Sequence, residues 1–203
     1  MKKIIFLSLP IYLAIACNQD NHPFENQTEQ TNLQNMVLNR ASSNDICEQL
    51  ITEYRSSALT NPPITLQQKI DLLDSIAFQN NSFLELQTFD YTKITAVEAS
   101  VFLINSDSAV NSLSVSKEIA TYLNTILGTN YSPSKLRGDI RMDLSLSQIE
   151  KNTLYFILDR NTTTLDHHDP SWDKKNIVGI TKGYTQNEAQ AIFNAALISI
   201  YNQ

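Results

Sequence analysis

Glycine is scarce in this chain, four residues in 203. A glycine-rich phosphate loop has little to work with, and the Gly-x-x-x-x-Gly-Lys-Ser/Thr pattern is absent. Cysteine is scarcer, at two, which excludes a disulfide framework. Positive charge is in deficit: 15 Lys and Arg stand against 21 Asp and Glu, for a net charge of -6. Such a chain lacks the basic footprint that nucleic acid requires. Gly-x-Ser-x-Gly and His-Glu-x-x-His are absent too, so neither a hydrolase nucleophile elbow nor a zinc-protease helix has support. The remainder is ordinary for a globular domain: 42% hydrophobic and 18% charged, at a length that suits one domain.

The N-terminus stands apart. Met1-Lys2-Lys3 is a short basic start, and Ile4 to Ala16 is apolar apart from Ser8 and Pro10. A bilayer core of ~30 Å needs ~20 apolar residues, so this run is too short to span it. Its length and flanks fit a secretory signal peptide over residues 1–16. It ends in Leu13-Ala14-Ile15-Ala16-Cys17, which resembles the lipobox of bacterial lipoproteins. The resemblance implies cleavage before Cys17, a diacylglycerol on its thiol and acylation of the new α-amino group. Each buried methylene contributes about 0.8 kcal/mol, so three acyl chains make a lasting membrane anchor. Asn18 stands where that family's inner-membrane retention rule has Asp, which favours the outer membrane. The resemblance covers residues 1–17 and bears on nothing beyond them.

Cleavage would remove Lys2 and Lys3 and no acid, taking the charge from -6 to -8. It would leave Cys47 as the only free thiol, so stability has to come from the core. Residues 17–41 read as a lipidated cysteine and a flexible tether. Ten of the 23 residues from 18 to 40 are Asn or Gln, with one aromatic, Phe24. That composition buries too little surface to offset ordering entropy.

Residues 42–203 read as a single all-α domain of about six or seven helices in mixed crossing angles, with little or no strand. Four capping boxes mark helix starts: Thr65-x-x-Gln68, Thr95-x-x-Glu98, Ser147-x-x-Glu150 and Thr185-x-x-Glu188. Ser132-Pro133 adds a fifth. Apolar residues recur at helical spacing at Ile46, Leu50, Tyr54 and Ala58, at Leu66, Ile70, Leu73 and Ala77, and from Val115 to Leu127 before Gly128. Ala189, Ile192, Phe193, Ala196, Leu197 and Ile200 form the clearest stripe. Val97 to Ile104 is apolar almost all round and reads as the central buried helix. Asn176 to Ile180 and Phe83 to Leu86 are the only strand candidates.

Few residues suggest chemistry. Asp166, His167, His168 and Asp169 are the densest set of metal-ligand types. Adjacent side chains seldom converge on one ion, however, and Pro170 follows, so an exposed loop is the simpler account. Lys174, Lys175 and Lys182 make the one basic stretch. Gly179 to Thr185 reads as a glycine turn running into a helix N-terminus, where free amides can hold an anion. Trp172 and Tyr184, beside Asp173, are candidates for an aromatic recognition surface, against the plainer reading that the single Trp packs a loop onto the domain. Cys47 sits beside an apolar stripe and reads as core rather than nucleophile. Asp107-Ser108-Ala109 resembles the Asp-Ser/Thr-aliphatic sites that one group of Gram-negative bacteria O-glycosylates, and makes Ser108 a modification candidate.

These features lead to an expectation of a cell-envelope lipoprotein with a non-catalytic helical binding domain, no cofactor and a protein partner, basic if charge decides. An immunity protein against a toxin is one concrete form. A small envelope-polymer hydrolase and an accessory subunit of an envelope assembly are the alternatives.

Overall fold

Most helices begin where a side chain supplies the missing hydrogen bonds of the first turn. The structure, a computed structural model, describes residues 42–86, 91–128, 131–162 and 170–201. Contacts separate Met1–Arg40 from Ala41–Gln203, and everything described below belongs to the second unit. Ser42 opens α1 (Ser43–Thr60) in a reciprocal box with Asp45. Thr65 with Gln68 opens α2 (Leu66–Ala77), and Asn80 opens the single turn of α3 (Asn81–Leu84). Thr95 with Glu98 opens α4 (Ala96–Leu103), which leads into the short α5 (Ser106–Ala109) and a 3-10 turn at Val110–Ser112. Ser116 caps α6 (Lys117–Leu127), and Ser132 with Pro133 at the first position starts α7 (Pro133–Met142). Ser147 and Glu150 bond each other's backbone amides at the start of α8 (Gln148–Thr162). Last come α9 (Pro170–Tyr184) and α10 (Glu188–Tyr201).

The class is therefore all-α, and among the described residues there is no strand. Among the described residues the helix number is ten, not six or seven. Two of the unexpected helices, α3 and α5, are four residues long and too short to show a period. The third, α9, carries two glycines and the run Ile177-Val178-Gly179-Ile180, features that suggest a turn and a strand. Both strand candidates fail: Asn176 to Ile180 is helix, and Phe83 to Leu86 is the end of α3 and its following turn.

The glycines of α9 serve packing rather than backbone freedom. No described glycine has a positive φ. A Cβ on Gly183 would overlap the Ala191 backbone and come within 2.8 Å of Gln190 C, and one on Gly179 would lie 2.7 Å from Ile198 Cδ1. The missing side chains let α9 and α10 close into a tight helical hairpin. The fourth capping box is consequently not used. Thr185 lies in the turn after α9, its hydroxyl donating to Lys182 O at 2.7 Å, and Asn187 Oδ1 accepts the Gln190 amide at 2.8 Å instead.

Helix α10 is the centre of the domain. All twelve residues from Ala189 to Ile200 are buried, and α1, α2, α4 and α9 pack around it. Helix α9 in turn packs on α4, α5, α6 and α8. Buried amides fix the register of this interface: Asn194 Nδ2 donates to Gly179 O at 2.9 Å and Gln190 Nε2 to Asn194 Oδ1 at 3.1 Å. The expected central helix, α4, lies at the edge. Ala99, Phe102 and Leu103 are buried, but Val97 is 78% and Ile104 60% exposed. A wholly apolar sequence is compatible with a half-exposed position. Tyr91 gathers Phe78, Phe83 and Phe193 edge-on at 5.6–6.1 Å, and its hydroxyl donates to Asp74. Among the described residues no helix is long and apolar enough to cross a membrane.

Candidate functional site

The side of α9 that faces α4 and the 3-10 turn is not filled. After Ser112 the chain leaves helix as far as Ser116, with Leu113 and Ser116 extended, and a groove of about 260 Å³ opens between this segment, α4 and α9. Its walls include Val101, Ala109, Leu113 and Val178. Its polar groups are Ser112, Ser114 and Thr185, together with Thr181 and Lys182 in the last turns of α9. Thr181 is 4% exposed, and its buried hydroxyl has no hydrogen-bond partner. A hydroxyl left in that state costs about 1–3 kcal/mol, which an incoming acceptor would recover. Lys182 is exposed at the rim. Across from it, Glu98 is held below the ordinary glutamate range by the Thr95 amide and hydroxyl, with the Lys182 charge adding to the effect. The groove thus combines a short apolar body with a donor hydroxyl and a cation. It has no thiol, imidazole or paired carboxylate among its lining residues.

Of the three expected ligand residues, only Lys182 reaches this groove. Trp172, Lys182 and Tyr184 all lie on α9, but Trp172 and Tyr184 are twelve residues apart, about 18 Å along the axis, so they do not form one aromatic surface. Trp172 packs against the core, with its indole Nε1 buried and without a hydrogen-bond partner. Tyr184 is also packed against the core. The basic stretch is dispersed around the helix. Lys174 pairs with Asp107 at 2.6 Å, and Lys175 lies over the Tyr201 ring. The expected anion-binding helix N-terminus after Lys182 is in fact a helix C-terminus, which presents carbonyls rather than amides.

Asp166, His167, His168 and Asp169 lie outside the described residues, as does Cys17. Among the described residues no group of three or more His, Cys, Asp or Glu is placed to hold a metal ion. Ser108 is exposed on α5, and its hydroxyl donates to Asn105 O at 3.0 Å. Cys47 is fully buried, and burial pushes its thiol up to about 11 against the smaller opposing pull of Arg160. Val101, Leu113 and Thr181 were not legible as site residues. Val101 reads as part of a buried helix and Thr181 as part of a turn, and only the placement of the 3-10 turn opens the space between them.

Comparison with protein-family models, with curated proteins and with solved structures finds no match for this chain.

Proposed function

We propose that this chain is a cell-envelope lipoprotein, anchored through Cys17, whose helical domain binds a small amphipathic molecule without transforming it. The Leu13-to-Cys17 junction supports the anchor, and Asn18 favours the outer membrane. The observation that carries the binding role is the pairing of Thr181 and Lys182 on the apolar groove: a buried donor without a partner beside an exposed cation. A short alkyl chain ending in a carboxylate satisfies both. The alkyl body lies against Val101, Leu113 and Val178, while the head accepts from the hydroxyl and the ammonium.

Two measurements test the reading. Calorimetric titration with hexanoate should show binding, weakened about tenfold or more in Lys182→Met and again in Thr181→Val. Hexanol should bind less well than hexanoate. No heat with any of these probes, and no shift in the melting temperature, would overturn the binding role. Cys17→Ala should leave the membrane fraction, and retention there would overturn the anchor.

A further inference from the structure

The groove between α4 and α9 holds acceptors as well as donors. Ser112 Oγ donates its proton to Ala109 O at 3.0 Å, and Thr185 Oγ1 donates to Lys182 O at 2.7 Å. Both hydroxyls line the groove with their protons already committed, so toward its contents they offer lone pairs only. Thr181 Oγ1 is buried without a partner, and Lys182 brings a cation to the rim. We infer that the groove takes a zwitterionic head, the ammonium and carboxylate of a free α-amino acid with a short aliphatic side chain. The inference rests on the binding role proposed above and names the ligand class for that same site.

A carboxylate alone meets half of this inventory. It accepts from Thr181 and Lys182, but it has no proton for Ser112 or Thr185, and its oxygens repel theirs. An ammonium on the adjacent carbon supplies three donors.

Glu98 supplies the matching charge. It lies in the first turn of α4, three residues before Val101, so the two share a face of that helix, and Val101 is a wall of the groove. Glu98 Oε2 accepts the Thr95 amide at 2.7 Å and the Thr95 hydroxyl at 2.8 Å. Those bonds favour the ionised carboxylate, and no bond among the described residues takes Oε1. The Lys182 charge reaches Glu98 from the facing helix. Among the described residues neither group is engaged in an ion pair. The mouth therefore presents one cation and one anion, both open to a ligand that carries the opposite pair.

The body of the groove is short and apolar, between Val101, Leu113 and Val178. Its volume of about 260 Å³ lies just below the ~300–1,000 Å³ of sites for drug-sized ligands, which suits a single amino acid.

The test is calorimetric titration of the full-length protein with four probes on one six-carbon frame: norleucine, hexanoate, 2-hydroxyhexanoate and hexylamine. Norleucine should bind about tenfold more tightly than hexanoate, the difference expected of one charge-assisted bond. 2-Hydroxyhexanoate, a donor without the charge, should fall between them, and hexylamine should be weakest. Glu98→Gln should reduce the norleucine-to-hexanoate ratio to about twofold or less. Gln keeps the capping box, as Gln68 does with Thr65, so the variant retains its fold. Hexanoate binding with norleucine no tighter, or a ratio that survives Glu98→Gln, would overturn the zwitterionic head and spare the binding role. Binding of none of the four probes would overturn both.

Discussion

The guanidinium of Arg160, on α8, donates to Ser199 Oγ on α10 at 2.8 Å inside the domain. The same group reaches Asn44 Oδ1 at 3.2 Å and the Glu48 carboxylate, so one side chain ties α1, α8 and α10 together. Arg160 is 3% exposed. Arg160→Ala should lower unfolding free energy by about 3 kcal/mol, because it removes buried packing and the hydrogen bonds to Ser199, Asn44 and Glu48 together. Glu48, nearly half exposed, can exchange its partner for water, and Glu48→Gln should cost about 1 kcal/mol or less. Urea unfolding of the two variants checks the ranking, and equal losses would contradict it.

The glycines make an opposed pair of predictions. Gly183→Ala forces a Cβ into the Ala191 backbone and should destabilise by ~3 kcal/mol or more, or prevent folding. Gly138, within α7, has nothing within 4 Å of its would-be Cβ. Gly138→Ala should therefore stabilise by roughly 0.5–1 kcal/mol. Thermal unfolding of both variants reads the contrast directly.

Stability should fall in acid through the capping carboxylates. Glu150 is held below the ordinary glutamate range chiefly by the Ser116 hydroxyl, with the Ser147 amide adding to it. A depressed folded value means that its contribution is complete above about pH 4.5 and is lost as pH falls through the folded value. Glu150→Gln should flatten the decline of the urea midpoint between about pH 5 and pH 3.

At the alkaline end the sign reverses. Burial, with Asp143 adding to it, pushes Tyr122 up to about 12. Its contribution is complete below the ordinary tyrosine value of about 10 and is lost as pH rises from there toward the folded value. Tyr122→Phe should be slightly less stable at neutral pH and lose less on alkaline titration, measured by far-ultraviolet circular dichroism.

Cys47 should be silent toward an aromatic disulfide reagent at pH 8 in the native protein and react at an ordinary rate in denaturant. Its burial and raised pKa withhold the thiolate from solution. Fast native labelling at this position would contradict the packing of α1.

Local chemistry was legible in the sequence, and long-range packing was not. Thr65, Thr95 and Ser132 announce their helices because a cap acts within four residues, and all three caps form. Thr185 shows the limit of that logic. Its box is intact, yet α9 continues through Tyr184, so the next start falls to Asn187. Gly179 and Gly183 suggested a turn because their real role is set by Ile198 and Ala191, residues of another helix. Val97 and Ile104 looked buried for the same reason, since apolar character does not say which neighbour will cover it. In the groove, Lys182 was visible as part of a basic stretch, while the Thr181 hydroxyl becomes notable only once its surroundings are known.

Helix α10 is the last described element in the chain and also the one around which the others are arranged. Order of synthesis and order of assembly therefore run in opposite directions. Until residues 188–201 are present, α1, α2, α4 and α9 lack the helix that covers much of their apolar faces. A chain stopped before α10 should stay expanded and open to proteases, and contacts between α1 and α10, some 140 residues apart, should make folding slow once the helix arrives.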